Sequence, residues 1–185
     1  MSVFRSEIDL NVPILNQHTV FRSKTHDDNW ACWFTSALMV LYFRGFVQSI
    51  QIQTNLEALV KLWMNKGINP LYLGPLAVQS GLEHSPTNAL FLVKSPEEWH
   101  QNLSKLGPLL MIVPGHAVVA RGIINKGGIW NLKYNDPWNG MIITEPLDQA
   151  QRKIVWQCPM LYRRSTSPPP VIISQPVMEP HKIRY

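Results

Sequence analysis

Asn29-Trp30-Ala31-Cys32-Trp33-Phe34-Thr35-Ser36-Ala37-Leu38-Met39-Val40-Leu41-Tyr42-Phe43 carries the chain out of a polar loop into apolar, helix-compatible sequence, with no Gly or Pro before Gly45. The apolar run is long enough for about three helical turns. Cys32 therefore stands at a helix N-terminus. Unpaired N–H groups and the positive end of the helix dipole favour the thiolate there, the nucleophilic form of cysteine. A free cysteine is otherwise among the most buried of small side chains. A catalytic role for Cys32 thus requires a base elsewhere in the chain.

With 185 residues, 45% hydrophobic and 16% charged, the sequence suits one globular domain, or one domain with a tail. The net charge is +5 and the pI about 9.4. The basic residues are scattered, however, with Arg152-Lys153 and Arg163-Arg164 the two adjacent pairs before the last few residues. A dense basic stripe is missing, which argues against nucleic acid as a partner. Two cysteines, Cys32 and Cys158, do not build a disulfide framework, and no Cys/His spacing matches a zinc site, so neither metal nor cofactor is expected. No stretch is long and apolar enough to span a membrane, and the first residues lack the apolar core of a signal peptide. The expected location is the cytoplasm of the producer, or a target cell reached through a specialised secretion system.

Residues 8–15 alternate up to Pro13 and read as an edge strand or extended arm. The polar segment 18–28 is a loop that delivers Asp27, Asp28 or Asn29 as N-cap of the Cys32 helix. Residues 54–64 repeat Leu56, Leu59, Val60 and Trp63 at helical spacing, with Thr54 and Glu57 as a capping box and Gly67 as a stop. A short helix fits 75–80 and a brief strand 89–93. Ser95-Pro96-Glu97-Glu98 is a helix start, and that helix should end at Gly107-Pro108. Then the period changes. Strands are expected over 109–113, 115–123, 129–134 and 141–143, with Asn125-Lys126-Gly127-Gly128 as a hairpin turn. Helices followed by an antiparallel sheet indicate an α+β architecture. From Arg163 onward Ser and Pro dominate, which divides the chain into a domain over 1–162 and an extended or disordered tail over 163–185.

Of six histidines, His116 alone opens an apolar strand, directly after Gly115. A turn centred on Lys126 or Gly127 pairs it across the hairpin with Asp136 or Pro137, within reach of a side chain from Asn135 or Asp136. A hydrogen bond to one imidazole nitrogen fixes the tautomer and leaves the other free to take the thiol proton. Adjacent strand residues point to opposite faces, so only one of Asn135 and Asp136 can aim at the ring. The carboxylate of Asp136 is the better partner for an imidazolium, and Pro137 holds Asp136 extended.

The ordered set Gln17, Cys32-Trp33 opening a long apolar helix, Gly107-Pro108-Leu109, Gly115-His116-Ala117-Val118-Val119, Gly122-Ile123 and Tyr134-Asn135-Asp136-Pro137-Trp138-Asn139-Gly140 resembles papain-like cysteine peptidases. It is most similar to the bacterial branch of bacteriocin-processing (double-glycine leader) peptidases and related secreted effector proteases. The resemblance spans roughly residues 10–145. It implies a papain-like fold, with Cys32 as nucleophile, His116 as base and then acid, and Asp136 as orienter. Gln17 and the Cys32 N–H would form the oxyanion hole, with Trp33 and Trp138 lining the substrate cleft. The segment 18–28 then reads as an insertion between Gln17 and Cys32, and Trp33 stands where the leader peptidases tend to have Gly.

The expected activity is a thiol endopeptidase that forms a thioester, acts on a protein or peptide and prefers small residues such as Gly at the cleavage site. A deamidase, transglutaminase or cell-wall amidase would use the same three residues. A non-catalytic binding module on the same scaffold is the remaining alternative. The resemblance also implies a toxin or effector with a cognate inhibitor or immunity protein as partner.

Overall fold

The computed structural model describes residues 6–20, 31–45, 73–84, 95–155 and 160–163. The helix expected over 54–64, the strand over 89–93, the proposed caps Asp27, Asp28 and Asn29, and Cys158 lie outside the described residues, as does the tail from 164.

Among the described residues one seven-stranded sheet organises the structure. Its strands are β1 (Ile8–Asp9), β2 (Glu83–His84), β3 (Leu109–Val113), β4 (His116–Lys126), β5 (Ile129–Asp136), β6 (Met141–Pro146) and β7 (Leu161–Tyr162). They run in the order β2-β7-β3-β4-β5-β6, and the last strand in sequence, β7, lies between β2 and β3. β1 pairs with β4 at Asp9–Gly122 and Ile8–Ile123, just past the point where β3 ends opposite Ala120. Only glycine permits that approach, because a Cβ on residue 122 would sit 2.5 Å from the Ile8 carbonyl oxygen.

Five described helices cover the sheet: α1 (Gln17–Val20), α2 (Cys32–Phe43), α3 (Leu73–Ser80), α4 (Pro96–Leu106) and α5 (Leu147–Lys153). α2 is buried from Cys32 to Leu41. It packs with Leu73, Leu76 and Ala77 of α3 on one face of the sheet, against Leu110, Ala117 and Val119. Trp99 and Leu103 of α4 and Leu147 and Ala150 of α5 fill the opposite face, against Leu109, Met111, Val118, Ala120, Ile123 and Leu132. Successive strand residues thus serve two different cores. The mixture of helices and antiparallel sheet is the α+β, papain-like class the sequence indicates.

α4 forms where its start signal lies: the Ser95 hydroxyl accepts from the Glu98 N–H at 3.2 Å, and the Glu98 carboxylate accepts from the Ser95 N–H at 3.0 Å. α2 departs from expectation at its cap. The N-cap is Ala31, whose side chain makes no capping hydrogen bond. Arg163, the first residue of the expected tail, packs against the described residues. Arg163 is 1% exposed, donates to the Gly81 carbonyl and accepts a 2.8 Å hydrogen bond from Arg44 Nε on its own carbonyl.

Candidate active site

Cys32 is the first residue of α2 and is 8% exposed. One turn further on, the Ser36 hydroxyl donates a 3.1 Å hydrogen bond to the Ala117 carbonyl on β4. Ala117 follows His116, so this bond sets the helix that carries the thiol against the strand that carries the imidazole. His116 is itself placed by a tight connection. Val113 and His116 are paired, Pro114 and Gly115 fill the turn, and Gly115 has φ 70°, in the left-handed region that favours glycine.

The β4–β5 hairpin differs in register from the sequence expectation. Lys126 pairs with Ile129, so the turn is Gly127-Gly128 and its centre lies beyond Lys126. Between Ala120 and Gly122 the ladder shifts, leaving Arg121 as an extra residue on β4, and pairing then resumes as Ala120–Tyr134 and Val119–Asn135. Continued by one step, this register sets Asp136 across from Val118, and His116 reaches it along the diagonal of the same face. The diagonal is short: His116 Nε2 lies 2.7 Å from Asp136 Oδ1. The same oxygen accepts a 2.8 Å bond from the Trp138 N–H across Pro137, which locks the direction of the carboxylate.

Asn135 faces the other way. It is fully buried toward α2, donating to the Pro13 carbonyl at 3.1 Å and the Val12 carbonyl at 3.4 Å and lying 3.7 Å from the Met39 sulfur. The alternative in which Asn135 bonds His116 is therefore not what the structure holds. Alternation along β5 gives the imidazole to only one of the two neighbours, and that neighbour is Asp136.

Gln17 begins α1 and is buried, with its N–H donating to the Pro137 carbonyl at 2.8 Å. Asn16, whose side chain accepts from the His18 N–H at 2.8 Å, starts that helical turn. α1 packs against α2. Gln17 is thereby fastened to the residue after Asp136. Trp138 is 41% exposed and meets the His18 ring edge to face at 5.0 Å. Trp33 does not fit its expected place in a cleft. It is 0% exposed, packed edge-on against Phe34 at 6.0 Å inside the core, and presents no surface to a substrate.

Electrostatics favour charge separation at this site. Burial alone pulls the His116 pKa down, but hydrogen bonds to Asp136 and Cys32 and the charges of both outweigh it and lift the pKa to about 9. Burial likewise pushes the Asp136 carboxyl up, yet the bonds from His116 and the Trp138 N–H hold it below its ordinary value. With Nε2 committed to Asp136, Nδ1 is the nitrogen left to exchange a proton with the Cys32 sulfur. Among the described residues no group of three or more His, Cys, Asp and Glu side chains could hold a metal ion. No helix among them is long and apolar enough to cross a membrane.

Sequence reading missed Ser36, Arg121 and Asp9. Ser36 offered only helical spacing from Cys32, whereas Arg121 was a visible signal, a lone charge in an otherwise apolar strand. A family model described as papain-like cysteine protease AvrRpt2 matches residues 6–154 of the chain. No curated protein matches it.

Proposed function

The chain belongs to the family of the papain-like cysteine protease AvrRpt2 and is a papain-like cysteine peptidase; from that premise we propose that Cys32, His116 and Asp136 perform the cleavage. The observation that carries this reading is the 2.7 Å bond from His116 to Asp136 in an imidazole that also interacts with the thiol at the start of α2.

In the proposed reaction the Cys32 thiolate attacks the scissile carbonyl carbon, and the carbonyl π electrons move to oxygen. The oxyanion is met by the Cys32 N–H and, in this reading, by Gln17, fixed donors of a kind worth about 3 kcal/mol each. The imidazolium of His116 then gives its proton to the amide nitrogen, the C–N bond breaks, and the amine leaves a thioester on Cys32. Neutral His116 next takes a proton from water, the hydroxide adds to the thioester carbon, and the C–S bond breaks to release the acid and restore the thiolate. Asp136 keeps its negative charge throughout, orienting the ring and stabilising its charged form.

Within the same proposal the enzyme is an endopeptidase that favours small residues such as Gly, as in the double-glycine leader peptidases. The bulk of Trp138 beside Asp136 supports this. We further assign it the role of a delivered toxin or effector restrained by an inhibitor protein, a role supported by the resemblance of its Cys32, His116 and Asp136 motifs to secreted effector proteases. The test is to express wild type and Cys32→Ala side by side, compare viability, and map new N-termini in the proteome. New N-termini dependent on Cys32 are expected; deamidated or cross-linked products with no new N-termini would overturn peptide cleavage.

A further inference from the structure

β4 contributes Val118, Ala120 and Ile123 to one core. A strand with strict alternation cannot do so, since residues 118 and 120 share a face that residue 123 opposes. The extra residue, Arg121, reverses the phase. Without it, pairing carried on from Gly122–Lys133 would set Asn135 opposite Ala120 and Asp136 opposite Val119. His116 would then turn to the α2 face and share it with Asn135, while the Asp136 carboxylate stayed on the face of Leu132, away from the ring.

A bulged residue needs somewhere to put its side chain, and here the place is built. Arg121 is 7% exposed, its Nε donates to Asp9 Oδ1 at 2.8 Å, and its terminal nitrogen lies 3.4 Å from Asn135 Oδ1 and 3.5 Å from the Val12 carbonyl oxygen. The other oxygen of Asp9 accepts from Lys133 on β5, so one carboxylate ties together the two strands that flank the bulge. Burial raises the Asp9 pKa, but the bonds from Lys133 and Arg121 outweigh it and keep the carboxyl below its ordinary value. Asn135 in turn holds the Pro13 carbonyl, and four residues later Gln17 binds the Pro137 carbonyl. The arm is thus pinned at both ends to the tip of β5.

We propose that Arg121, clasped between Asp9 and Asn135, is a positioning residue: it holds the bulge that brings Asp136 rather than Asn135 to His116, and it anchors the arm that carries Gln17. The inference rests on the reading of Cys32, His116 and Asp136 as the catalytic set. It differs from simple stabilisation because it specifies which side chain His116 meets.

The test follows the His116 imidazole by NMR across pH in the full chain, with circular dichroism to establish folding and His116→Ala to assign the signal. Cys32 and Asp136 are the charged groups that interact with this ring. The wild-type midpoint is expected at about 9. Arg121→Val, whose side chain suits a regular strand, should lower it by about one unit or more. Adding Asn135→Asp to Arg121→Val should recover about half of that loss or more, because residue 135 would then share the face of His116. Asn135→Asp alone should leave the midpoint in place. A folded Arg121→Val with an unchanged midpoint overturns the proposal, and so does a double variant without recovery. If Arg121→Val does not fold, Asp9→Asn decides, with an expected fall of about half a unit; no fall overturns the proposal. A wild type that titrates at about 9 but cleaves nothing would sink the peptidase reading and leave the clasp standing.

Discussion

Ser36 and Ala117 are joined by a 3.1 Å hydrogen bond across the boundary between α2 and the sheet, and each sits beside one half of the reactive pair: Ser36 one turn from Cys32, Ala117 next to His116. Removing the hydroxyl leaves the packing of a small side chain almost unchanged but frees the helix to slide along the strand. Ser36→Ala is expected to cost about 1 kcal/mol of stability, the usual net worth of one buried hydrogen bond. Turnover should fall on the order of 10-fold, because displacements well under 1 Å spoil attack geometry. Thermal unfolding and the rate of Cys32 alkylation would check the two parts separately.

Cys32→Ala and His116→Ala should each abolish turnover without unfolding the protein. Groups that act as one unit lose nearly everything with the first removal, so the double variant should be scarcely worse than either single one. Substantial activity in either single variant, measured on a substrate cleaved by wild type, would count against the pair.

Asp136 and Asn135 are expected to fail in different ways. Asp136→Ala should lower turnover on the order of 10²-fold, the range in which orienting groups act. Asn135→Ala leaves His116 untouched but strips the Pro13 carbonyl and Arg121 of a partner, costing about 1–3 kcal/mol. Its signature is a lowered melting temperature with near-normal turnover at low temperature.

The pH dependence follows from His116. Its folded pKa of about 9 stands above the ordinary 6.5, so the stability that charged His116 contributes is fully present below 6.5 and is lost as pH rises through about 9. Asp136 works in the other direction, contributing above its ordinary 3.8 and losing that contribution as pH falls through its depressed pKa. Turnover should therefore show an alkaline limb near pH 9 in wild type, and Asp136→Asn should move the limb toward 6.5. An alkaline limb that stays put in Asp136→Asn would show that Asp136 does not govern the ring.

Much of this was legible in short-range signals. The apolar run after Cys32 has helical length and no breaker, and the Ser95 capping box and Gly127-Gly128 declare their own geometry. Period-two alternation was enough to separate Asn135 from Asp136. Register was harder. The bulge at Arg121 depends on Asp9, more than a hundred residues away in sequence, and local pattern cannot report such a partner. Trp33 was misplaced for a related reason: a Trp beside a nucleophile reads equally well as cleft wall or core, and only the packing of Phe34 and α3 around α2 decides.

Arg163 predicts a sharp edge to the minimal domain. A chain stopped after Tyr162 loses the bond to the Gly81 carbonyl and the backbone acceptor for Arg44, whereas one stopped after Arg163 keeps both. The shorter form should melt several degrees lower, consistent with a loss of about 1–3 kcal/mol. Equal melting temperatures for the two forms would remove Arg163 from the domain's structural core.

The place of β7 bears on when the protein can fold. Among the described residues Glu83–His84 joins the sheet only through Leu161–Tyr162, and Leu161 also pairs with Leu110. The last of the described strands to be synthesised is thus the one that unites an earlier segment with the rest. Until residues 161–162 are made, the Cys32 helix and the β3–β4 hairpin already exist as sequence, but the slot between β2 and β3 is empty. Such long-range closure is slow compared with local helix and hairpin formation. Closure of the sheet therefore waits for residues 161–162, long after the reactive thiol at residue 32 has been made.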